Sequence, residues 1–456
     1  MSRHTFYKRV SILTILLALL LLAGFRCTLF PQKAKEAVKP VVLNWWRVTD
    51  GPDTVSDIIN KFQQQYSHIK INYQQFRPEE YEQALLEAWA EDRGPDIFSI
   101  PNTWLGKYQT KILLMPPKMT LSREVLTGTI KKEYRVLTEQ KKGLTLPDLK
   151  NNFVDVVAKD VYQNNQVWGL PMSLDTLALY FNRDLLNQAK IVEPPKNWDE
   201  FIIDTKLLTL LDSQGRIIQS GVALGTANNI PNAADVLSAL MLQNGTTMAT
   251  SGHAVFNLPS PDDPTYLPGE EALRFYTDFA NPAKETYAWN KDMPEALDAF
   301  TQGKTAFYIG YASDLLKIRN TAPTLNFDLT KLPQINGSLK EANFANYWVE
   351  TVSKKTKYLN EAWAFVIFAT DAQNVKSYLD RAKKPTAQRA LIKAQLDDFD
   401  LEPFASQVLI AESWYQGRNW LAAEKAIKNM INDVAQGRRN VKEAISYYIQ
   451  IVNQTY

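Results

Sequence analysis

The side chains that most often perform catalysis are scarce in this chain of 456 residues. It has one cysteine, Cys27, and three histidines, His4, His68 and His253, which lie far apart in the sequence. A single cysteine allows neither an internal disulfide nor a cysteine metal site, and a catalytic triad would have few histidines to serve as its base. We therefore predict no metal and no cofactor, and the sequence disfavours most zinc and histidine-based enzyme chemistry.

Sequence motifs of known catalytic sites are also missing. No G-x-x-x-x-G-K-[ST] or G-x-G-x-x-G segment could cradle a phosphate, and neither G-x-S-x-G nor H-E-x-x-H occurs. Carboxylates are plentiful, so a glycosidase with paired acids remains an alternative. Adjacent pairs such as Glu79-Glu80 and Asp262-Asp263 are explained more simply as solvated turns or helix surfaces. We assign no catalytic residue.

The composition is that of a folded globular protein, with 45% hydrophobic and 22% charged residues. The chain has 51 Lys and Arg against 49 Asp and Glu, but residues 1–27 hold four of the basic residues and no acid. The remaining chain therefore has 47 basic and 49 acidic residues. A near-neutral body argues against nucleic acid as a partner, because phosphate binding needs clustered lysine and arginine.

The first thirty residues have the pattern of an export signal or a membrane anchor. Basic residues at positions 3–9 precede an almost purely apolar run over residues 10–25, and this order leaves the N-terminus in the cytoplasm and exports the rest. The run is at the short limit for a membrane-spanning helix. We predict that residues 1–30 tether the protein to the membrane; cleavage, lipidation at Cys27 and a retained helix stay open as alternatives. Residues 31–40 are predicted to be a linker.

The body alternates between strand-like and helix-like segments. Residues 41–46, 69–76 and 96–100 have strand patterns, and the two segments between them have amphipathic helical periodicity. This order predicts βαβ units and a parallel sheet. We interpret residues 116–165 as helical segments. A second α/β region is expected as far as residue 312, and helices are expected from residue 405 onward.

Three stretches of this body carry a resemblance to a known family. They are residues 86–116 (LEAWAEDRGPDIFSIPNTWLGKYQTKILLMP), residues 168–201 (WGLPMSLDTLALYFNRDLL and, after a gap, PPKNWDEF) and residues 296–310 (ALDAFTQGKTAFYIG). In their order and spacing they resemble the family-1 extracellular solute-binding proteins of ABC importers, the group that includes the maltose-binding proteins. The resemblance covers residues 41–450.

The resemblance implies an α/β fold of the type II periplasmic-binding-protein kind. Two lobes, each a mainly parallel sheet flanked by helices, would form a clamshell, and the chain would cross between them three times. The lobes would consist of residues 41–180 plus 334–395 and residues 181–333 plus 396–450. A solute would bind in the cleft and the lobes would close on it by hinge motion. The rule that α/β proteins bind ligands outside the carboxyl ends of their strands also predicts a cleft site.

The function that the resemblance implies is that of an extracytoplasmic receptor held at the outer face of the cytoplasmic membrane. It would capture a monosaccharide or oligosaccharide as a monomer and deliver it to the permease subunits of an ABC importer, without being an enzyme. Two alternatives remain open from the sequence. One is an extracytoplasmic enzyme that acts on glycans, and the other is a sensory subunit that presents a ligand to a membrane receptor.

Candidate ligand contacts in the first half of the chain follow two predicted strands. A sugar offers apolar ring faces to aromatic side chains and hydroxyls to short polar ones. Trp46 and Asp50 lie at the end of the first strand, whose alternation places one of its two tryptophans in the core. Asn102 follows the third strand, with capping of the next helix as its alternative role. The resemblance implies ligand contacts at Thr103 and Trp104, where maltose-binding proteins have charged groups, so maltose itself is not implied.

Further candidates come from the predicted crossings and from the second half of the chain. Asp175 precedes the first crossing and would face the ligand or cap the hinge. The resemblance implies stacking rings at Tyr311 and at Trp414, and helix packing is the alternative role of Trp414. Tyr347 and Trp348 enter a strand of lobe one, where alternation places one of the two rings in the core.

Overall fold

The computed structural model describes residues 38–127, 133–338 and 340–456. The predicted signal or anchor, with Cys27, and most of the predicted linker lie outside the described residues. Within the described ranges, no helix combines the length and the hydrophobicity that crossing a bilayer requires.

The described strands have the following bounds. They are β1 (Val41–Val48), β2 (Ile69–Phe76), β3 (Ile97–Pro101), β4 (Lys118–Thr127), β5 (Glu133–Lys142), β6 (Tyr162–Gln163), β7 (Gln166–Val167), β8 (Leu170–Pro171), β9 (Asp175–Thr176), β10 (Ala178–Asn182), β11 (Leu210–Leu211), β12 (Ile217–Val222), β13 (Ala249–Thr250), β14 (His253–Ala254), β15 (Thr305–Gly310), β16 (Phe327–Lys331), β17 (Asn343–Asn346), β18 (Trp348–Val352) and β19 (Ala411–Glu412).

The described α-helices are interspersed with these strands. They are α1 (Pro52–Gln65), α2 (Pro78–Ala90), α3 (Leu105–Tyr108), α4 (Leu146–Asn152), α5 (Asp155–Val161), α6 (Arg183–Gln188), α7 (Trp198–Leu208), α8 (Ala233–Gln243), α9 (Pro268–Asp278), α10 (Ala296–Thr301), α11 (Ala312–Thr321), α12 (Leu359–Thr370), α13 (Ala372–Ala382), α14 (Arg389–Gln395), α15 (Glu402–Ala405), α16 (Trp420–Ala435) and α17 (Val441–Asn453).

Two five-stranded sheets confirm the α/β class. The first has the order β2-β1-β3-β18-β8 and the second the order β11-β12-β15-β10-β16. The βαβ units predicted at the start of the body are present, because β1 pairs in parallel with both β2 and β3. The sheets are mixed rather than mainly parallel, since β18 runs antiparallel to β3 and β8 while β10 runs antiparallel to β15 and β16. Strands β18 and β10 are not joined to their neighbours in the sheet by a local crossover helix. The expectation that strands of a βαβ unit run parallel therefore does not apply to them.

The buried hydrophobic residues form two separate cores. The first core takes its residues from 41–174, 345–387 and 408–411. The second takes them from 177–344, from position 404 and from 414–452. A small sheet of order β19-β17-β9 lies where the chain changes from one core to the other. The connecting segments are thus hydrogen-bonded to one another instead of being loose linkers.

A pair of buried amides holds these connecting segments together. The Nδ2 of Asn343 donates to the carbonyl of Leu177 at 2.8 Å and to the Oε1 of Gln407 at 2.8 Å. The Nε2 of Gln407 donates to the same carbonyl at 3.2 Å, and the Oδ1 of Asn343 accepts the N–H of Leu177 at 3.1 Å. Buried backbone groups need such partners. The two amides provide hydrogen-bond partners for the backbone of Leu177, at the point where the chain passes between the cores.

The prediction of helical segments over residues 116–165 is wrong for its first half. Strands β4 and β5 pair as an antiparallel hairpin over their full length, and helices begin only with α4. Met119 and Leu121 are fully buried at a spacing of two residues, which is the strand period. The many charged residues farther along the hairpin obscured this short alternation.

Replacement of Asn343 by Ala should destabilise the fold. The substitution leaves the Leu177 amide without a partner, and each buried polar group in that state costs about 1–3 kcal/mol. Chemical denaturation should show the loss, and Asn187→Ala on the exposed face of α6 serves as the matched control, with a change within about 0.5 kcal/mol. Equal unfolding midpoints for the two variants would contradict a structural role of the amide pair.

Candidate functional site

A cavity of 430 Å³ opens between elements of the two cores. One wall is formed by four segments: the end of β1, the residues before β9, the junction of β17 and β18, and the end of α13. The start of α11 forms the other wall. Five of the predicted ligand contacts line it: Asp50, Asp175, Tyr311, Tyr347 and Trp348. The cavity is therefore the site around which the sequence predictions converge best.

A buried network of charged groups forms the base of the first wall. Arg47 is 3% exposed, and its Nε lies 3.0 Å from the Oε1 of Glu350 while its Nη2 lies 3.1 Å from the Oδ2 of Asp50. The Oε2 of Glu350 accepts hydrogen bonds from the Nε1 of Trp45 at 2.7 Å and from the Oγ of Ser99 at 2.6 Å. Strands β1, β3 and β18 are thus joined by charge-assisted hydrogen bonds inside the core.

Asp50 connects this network to the cavity. Its Oδ1 accepts a hydrogen bond from the Nζ of Lys384 at 2.6 Å, and its Oδ2 accepts one from the hydroxyl of Tyr378 at 2.9 Å. Burial by itself would raise the pKa of Asp50, but the charges of Arg47 and Lys384 outweigh it and hold the pKa below its ordinary value. Asp50 is therefore a fixed carboxylate whose two oxygens both have protein partners.

Two backbone turns in the left-handed region place these groups. Thr49 has a φ of 65°, which is strained for a β-branched residue. Its N–H donates to the carbonyl of Phe76 and its carbonyl accepts the side chain of Gln75. Lys383, with a φ of 49°, ends helix α13 and turns the chain so that Lys384 reaches the cavity. Strain of this kind is commonly found at binding sites.

Asp175 links the connecting sheet to the second wall. Its Oδ1 accepts the N–H of Thr176 at 2.9 Å and the N–H of Ala312, at the start of α11, at 3.1 Å. Burial raises the pKa of Asp175 to about 7, and the nearby charge of Asp314 adds to the rise while the two backbone donors oppose it. The side chain therefore changes its charge near neutral pH.

Tyr311 is anchored on the second wall by hydrogen bonds at both ends. Its hydroxyl donates to the Oδ2 of Asp235 at 2.7 Å, and its carbonyl accepts the hydroxyl of Tyr180 at 2.6 Å. Burial raises the pKa of Asp235 to about 7 although the hydrogen bond from Tyr311 lowers it. Tyr311 is only 5% exposed, so little of its surface is available to a solute.

Tyr347 and Trp348 divide as the strand alternation predicts. Tyr347 is buried, and its hydroxyl donates to the Oδ2 of the buried Asp160 at 2.6 Å. Trp348 is half-buried and contacts the ring of Tyr81 edge-on at 6.1 Å. Of the two residues, Trp348 has the ring that a solute could contact.

The other five predicted contacts lie elsewhere. Trp46 is buried beside Phe76, Asn102 donates to Asp160 at 3.2 Å, and Thr103 is buried next to it. Two further tryptophans also have protein partners. Trp104 is half-buried and its ring lies 5.8 Å from that of Tyr108, while Trp414 is buried against three rings, those of Phe256, Tyr415 and Trp420, and donates to Ser238. None of these five lines the cavity, and a ligand contact at any of them stays a prediction.

Several cavity residues were not among the predicted contacts. The polar ones are Thr49, Ser173, Asn346 and Lys384, with Ser313 and Lys317 on α11, and the apolar ones are Val48, Pro78, Leu316, Ala382 and Pro385. Thr49 and Asn346 are direct neighbours of predicted contacts in the sequence, so a wider window around each strand end would have included them. Lys384 comes from a helix end far from any predicted strand, and the sequence offers no comparable signal for it.

The pKa of Asp175 predicts how the stability of the fold depends on pH. An aspartate in the unfolded chain has a pKa of about 3.9, against about 7 in the folded chain, so the folded state keeps a proton that the unfolded state has released. This contribution is full below the unfolded pKa and is lost as the pH rises through 7, by at most about 1.4 kcal/mol per pH unit. Asp235 acts in the same direction.

Asp175→Asn should therefore reduce the decrease in stability between about pH 5 and about pH 8. Denaturant unfolding of the variant and of the native protein at both pH values measures the effect. Asp262→Asn, in an exposed turn, is the control and should retain the native pH dependence. If Asp175→Asn shows the same pH dependence as the native protein, Asp175 is already ionised in the folded state.

Comparisons with known proteins identify the family of the chain. The model of a family described as bacterial extracellular solute-binding protein matches residues 46–376. The galactooligosaccharide-binding protein of Bacillus subtilis (strain 168) is 20% identical over 431 residues, which cover 91% of this chain and 89% of that protein.

Solved structures show the same fold. The cyclic alpha-maltosyl-1,6-maltose binding protein from Arthrobacter globiformis superimposes with a TM-score of 0.70 at 15% identity, over 91% of this chain and 99% of that one. An ABC transporter solute-binding protein from Thermotoga lettingae TMO, bound with alpha-D-tagatose, gives a TM-score of 0.63 at 19% identity, with 91% and 99% covered. The matched family model extends over most of the chain, so this protein belongs to the family of bacterial extracellular solute-binding proteins.

Proposed function

We propose that this chain is the solute receptor of an ABC importer and that it captures an uncharged carbohydrate in the cavity between the two cores. The observation that carries this proposal is that every charged side chain lining the cavity has a partner within the protein. Lys384 lies 2.6 Å from Asp50, Lys317 lies 2.9 Å from Asp314, and Asp175 accepts two backbone N–H groups.

Such a cavity favours a neutral polar solute. A charged ligand would find no unpaired countercharge, whereas hydroxyl groups could exchange hydrogen bonds with Thr49, Ser173, Ser313 and Asn346 along the walls. The half-buried ring of Trp348 offers an apolar surface against which a sugar ring could pack. Polar edges and apolar faces together are the chemistry of a carbohydrate.

Each core corresponds to one lobe in this proposal. Because the cavity takes its walls from both cores, a bound solute favours the arrangement in which the lobes are closed on it. The lobe boundaries would lie at residues 174–177, at residues 344–345 and within residues 387–414. In these segments the chain passes from one core to the other. The connecting strands β9, β17 and β19 would form the hinge.

The named relatives support a carbohydrate without fixing which one. One is named for galactooligosaccharides, one for a cyclic maltose-based tetrasaccharide, and one is bound with the monosaccharide tagatose. A closed receptor would deliver its solute to the permease subunits in the membrane. These ligands make up the first panel of candidates for this chain.

A thermal-shift screen of that panel tests the proposal. A ligand at a hundredfold excess over its dissociation constant stabilises the folded state by about 2.7 kcal/mol, so a true solute should raise the melting temperature by several degrees. Galactooligosaccharides, cyclic and linear maltooligosaccharides and tagatose should be compared with sugar acids and amino acids. Stabilisation by charged compounds alone would refute an uncharged solute.

Trp348→Ala then tests the site. Loss of a ring contact worth about 0.5–1.5 kcal/mol should weaken binding of the identified solute by up to about tenfold, with a small change in melting temperature. Phe275→Ala removes another half-buried ring, on α9 and away from the cavity, and should leave the affinity unchanged. Unchanged affinity in Trp348→Ala would place the solute elsewhere.

The geometry gives less support to an enzyme that acts on glycans. Such an enzyme needs one ionised carboxylate free to act on the sugar or on water and a second that is protonated. Asp175 has the raised pKa of an acid, but both oxygens of Asp50 are occupied by Lys384, Arg47 and Tyr378. We expect the bound carbohydrate to be recovered unchanged, and chromatography after long incubation would detect any cleavage.

We also propose that the N-terminal segment, residues 1–30, holds the receptor at the outer face of the membrane. The support is the basic residues followed by an apolar run, together with the extracellular family. Deletion of residues 1–30 should release a folded protein into the soluble fraction with unchanged affinity for the solute. Full-length protein that stays soluble after membranes are pelleted would contradict the tether.

A further inference from the structure

Two glycines bring the backbones of the two cores close together. Gly106 lies in α3, which Leu105 anchors in the first core, and Gly417 follows Trp414 of the second core. A methyl group on Gly106 would lie 2.4 Å from the carbonyl oxygen of Gly417 and 2.8 Å from that of Gln416. The backbones are therefore closer to each other than any side chain at position 106 would allow.

This contact lies at the same edge of the first sheet as the proposed solute cavity. Strand β3 runs parallel to β1, so α3, which follows β3, lies at the edge where the end of β1 lines the cavity. Pro101 at the end of β3 pairs with Trp348, and the N–H of Asn102 donates to the carbonyl of Tyr347 at 3.0 Å. Both Tyr347 and Trp348 line the cavity. The glycine contact and the cavity thus belong to the same side of the junction between the cores.

The loop that carries Gly417 is tied to the second core. The N–H of Arg418 donates to the carbonyl of Thr455 at 2.7 Å, and the hydroxyl of Tyr415 donates to the Oγ1 of Thr455 at 2.9 Å. The same tyrosine hydroxyl accepts the N–H of Asn419 at 2.9 Å. The residues on both sides of the glycine are therefore held to the chain that follows α17, and the loop moves with that core.

Gly106 is fixed in the first core in the same way. Leu105 and Tyr108 on either side of it are buried. Alanine forms helices more readily than glycine, and Gly106 does not have a positive φ, so the backbone of α3 does not require glycine here. A methyl group would need about 1 Å of additional space to reach a normal van der Waals distance. Separation of the cores supplies that space without disrupting the packing of either one.

We propose that Gly106 controls how closely the two cores approach each other, and thereby how tightly the solute is enclosed. The missing side chain permits the arrangement in which the cores meet beside the cavity, and a side chain would favour a more open one. The effect on solute affinity rests on the proposed function, because a site with walls from both cores is complete only when they are together. The effect on the arrangement of the cores does not depend on that function.

Spin labels on the two walls of the cavity measure the separation of the cores in Gly106→Ala. Glu79→Cys, next to the cavity residue Pro78, and Asn320→Cys, on α11, place one label on each wall at an exposed position. The full-length protein carries Cys27→Ser so that only these two sites react. We expect the label distance without solute to be longer in Gly106→Ala. An unchanged distance, or a variant that does not fold, would overturn the proposal, because the clash would then be relieved in another way.

Gly143→Ala is the matched control. A methyl group on Gly143 would lie 2.3 Å from the carbonyl oxygen of Pro116, so the clash is equally severe, but both residues belong to the part of the chain that forms the first core. This variant should lower the unfolding midpoint without lengthening the label distance. Equal lengthening in the two variants would show a general loss of packing and no particular role for Gly106.

The affinity for the solute identified by the thermal-shift screen is the second readout. We expect Gly106→Ala to bind about tenfold more weakly, because a smaller fraction of the molecules has the cores together, and Gly143→Ala to bind like the native protein. A longer label distance with unchanged affinity would overturn the link between the glycine contact and solute capture. If the native protein binds no carbohydrate, the proposed function fails, whereas the label distances still decide whether Gly106 controls the approach of the cores.

Discussion

The structure of the site depends on the pairing of one buried arginine with two buried carboxylates. Arg47 lies between Asp50 and Glu350, all three less than a tenth exposed. Removing one member of such a group leaves an uncompensated charge in the interior, at a cost of about 3–5 kcal/mol. The arrangement is therefore rigid by necessity, and it fixes the end of β1, the middle of β18 and, through Tyr378 and Lys384, the end of α13 relative to one another.

This rigidity explains why the cavity can present polar groups without presenting net charge. Asp50 and Lys384 neutralise each other at the surface of the network, and the strained Thr49 beside them is held by hydrogen bonds to β2. Groups that are already held in place lose little conformational entropy when a ligand binds. A receptor for a weakly interacting, strongly hydrated solute such as a sugar benefits most from such preorganisation.

The cavity residues that were predicted from the sequence lie at the ends of strands. The cavity residue Lys384, which was not predicted, lies after the end of a helix. Asp50, Asp175 and Tyr311 follow or begin strands, where α/β proteins present side chains to ligands. Trp414 was predicted from the family resemblance, with helix packing as its alternative role, and the contacts of its indole with three neighbouring rings could not be read from the sequence because they are tertiary. Lys384 depends on a left-handed turn after α13, and the position of that helix end relative to β1 is a long-range property of the fold.

The connecting sheet presents a different carboxylate at each of its two edges. Its edge strand β9 offers Asp175, whose burial favours the neutral form, and its other edge β19 offers Glu412, which is paired with Lys340. Because the pKa of Asp175 is about 7, the charge at the first edge changes near neutral pH, whereas Glu412 at the second edge is compensated by Lys340. Because both edges belong to the segments that join the cores, a ligand at either edge contacts residues whose positions depend on how the cores are arranged. A ligand that contacts one arrangement of the cores better than another therefore shifts the equilibrium between those arrangements by no more than its difference in affinity for the two.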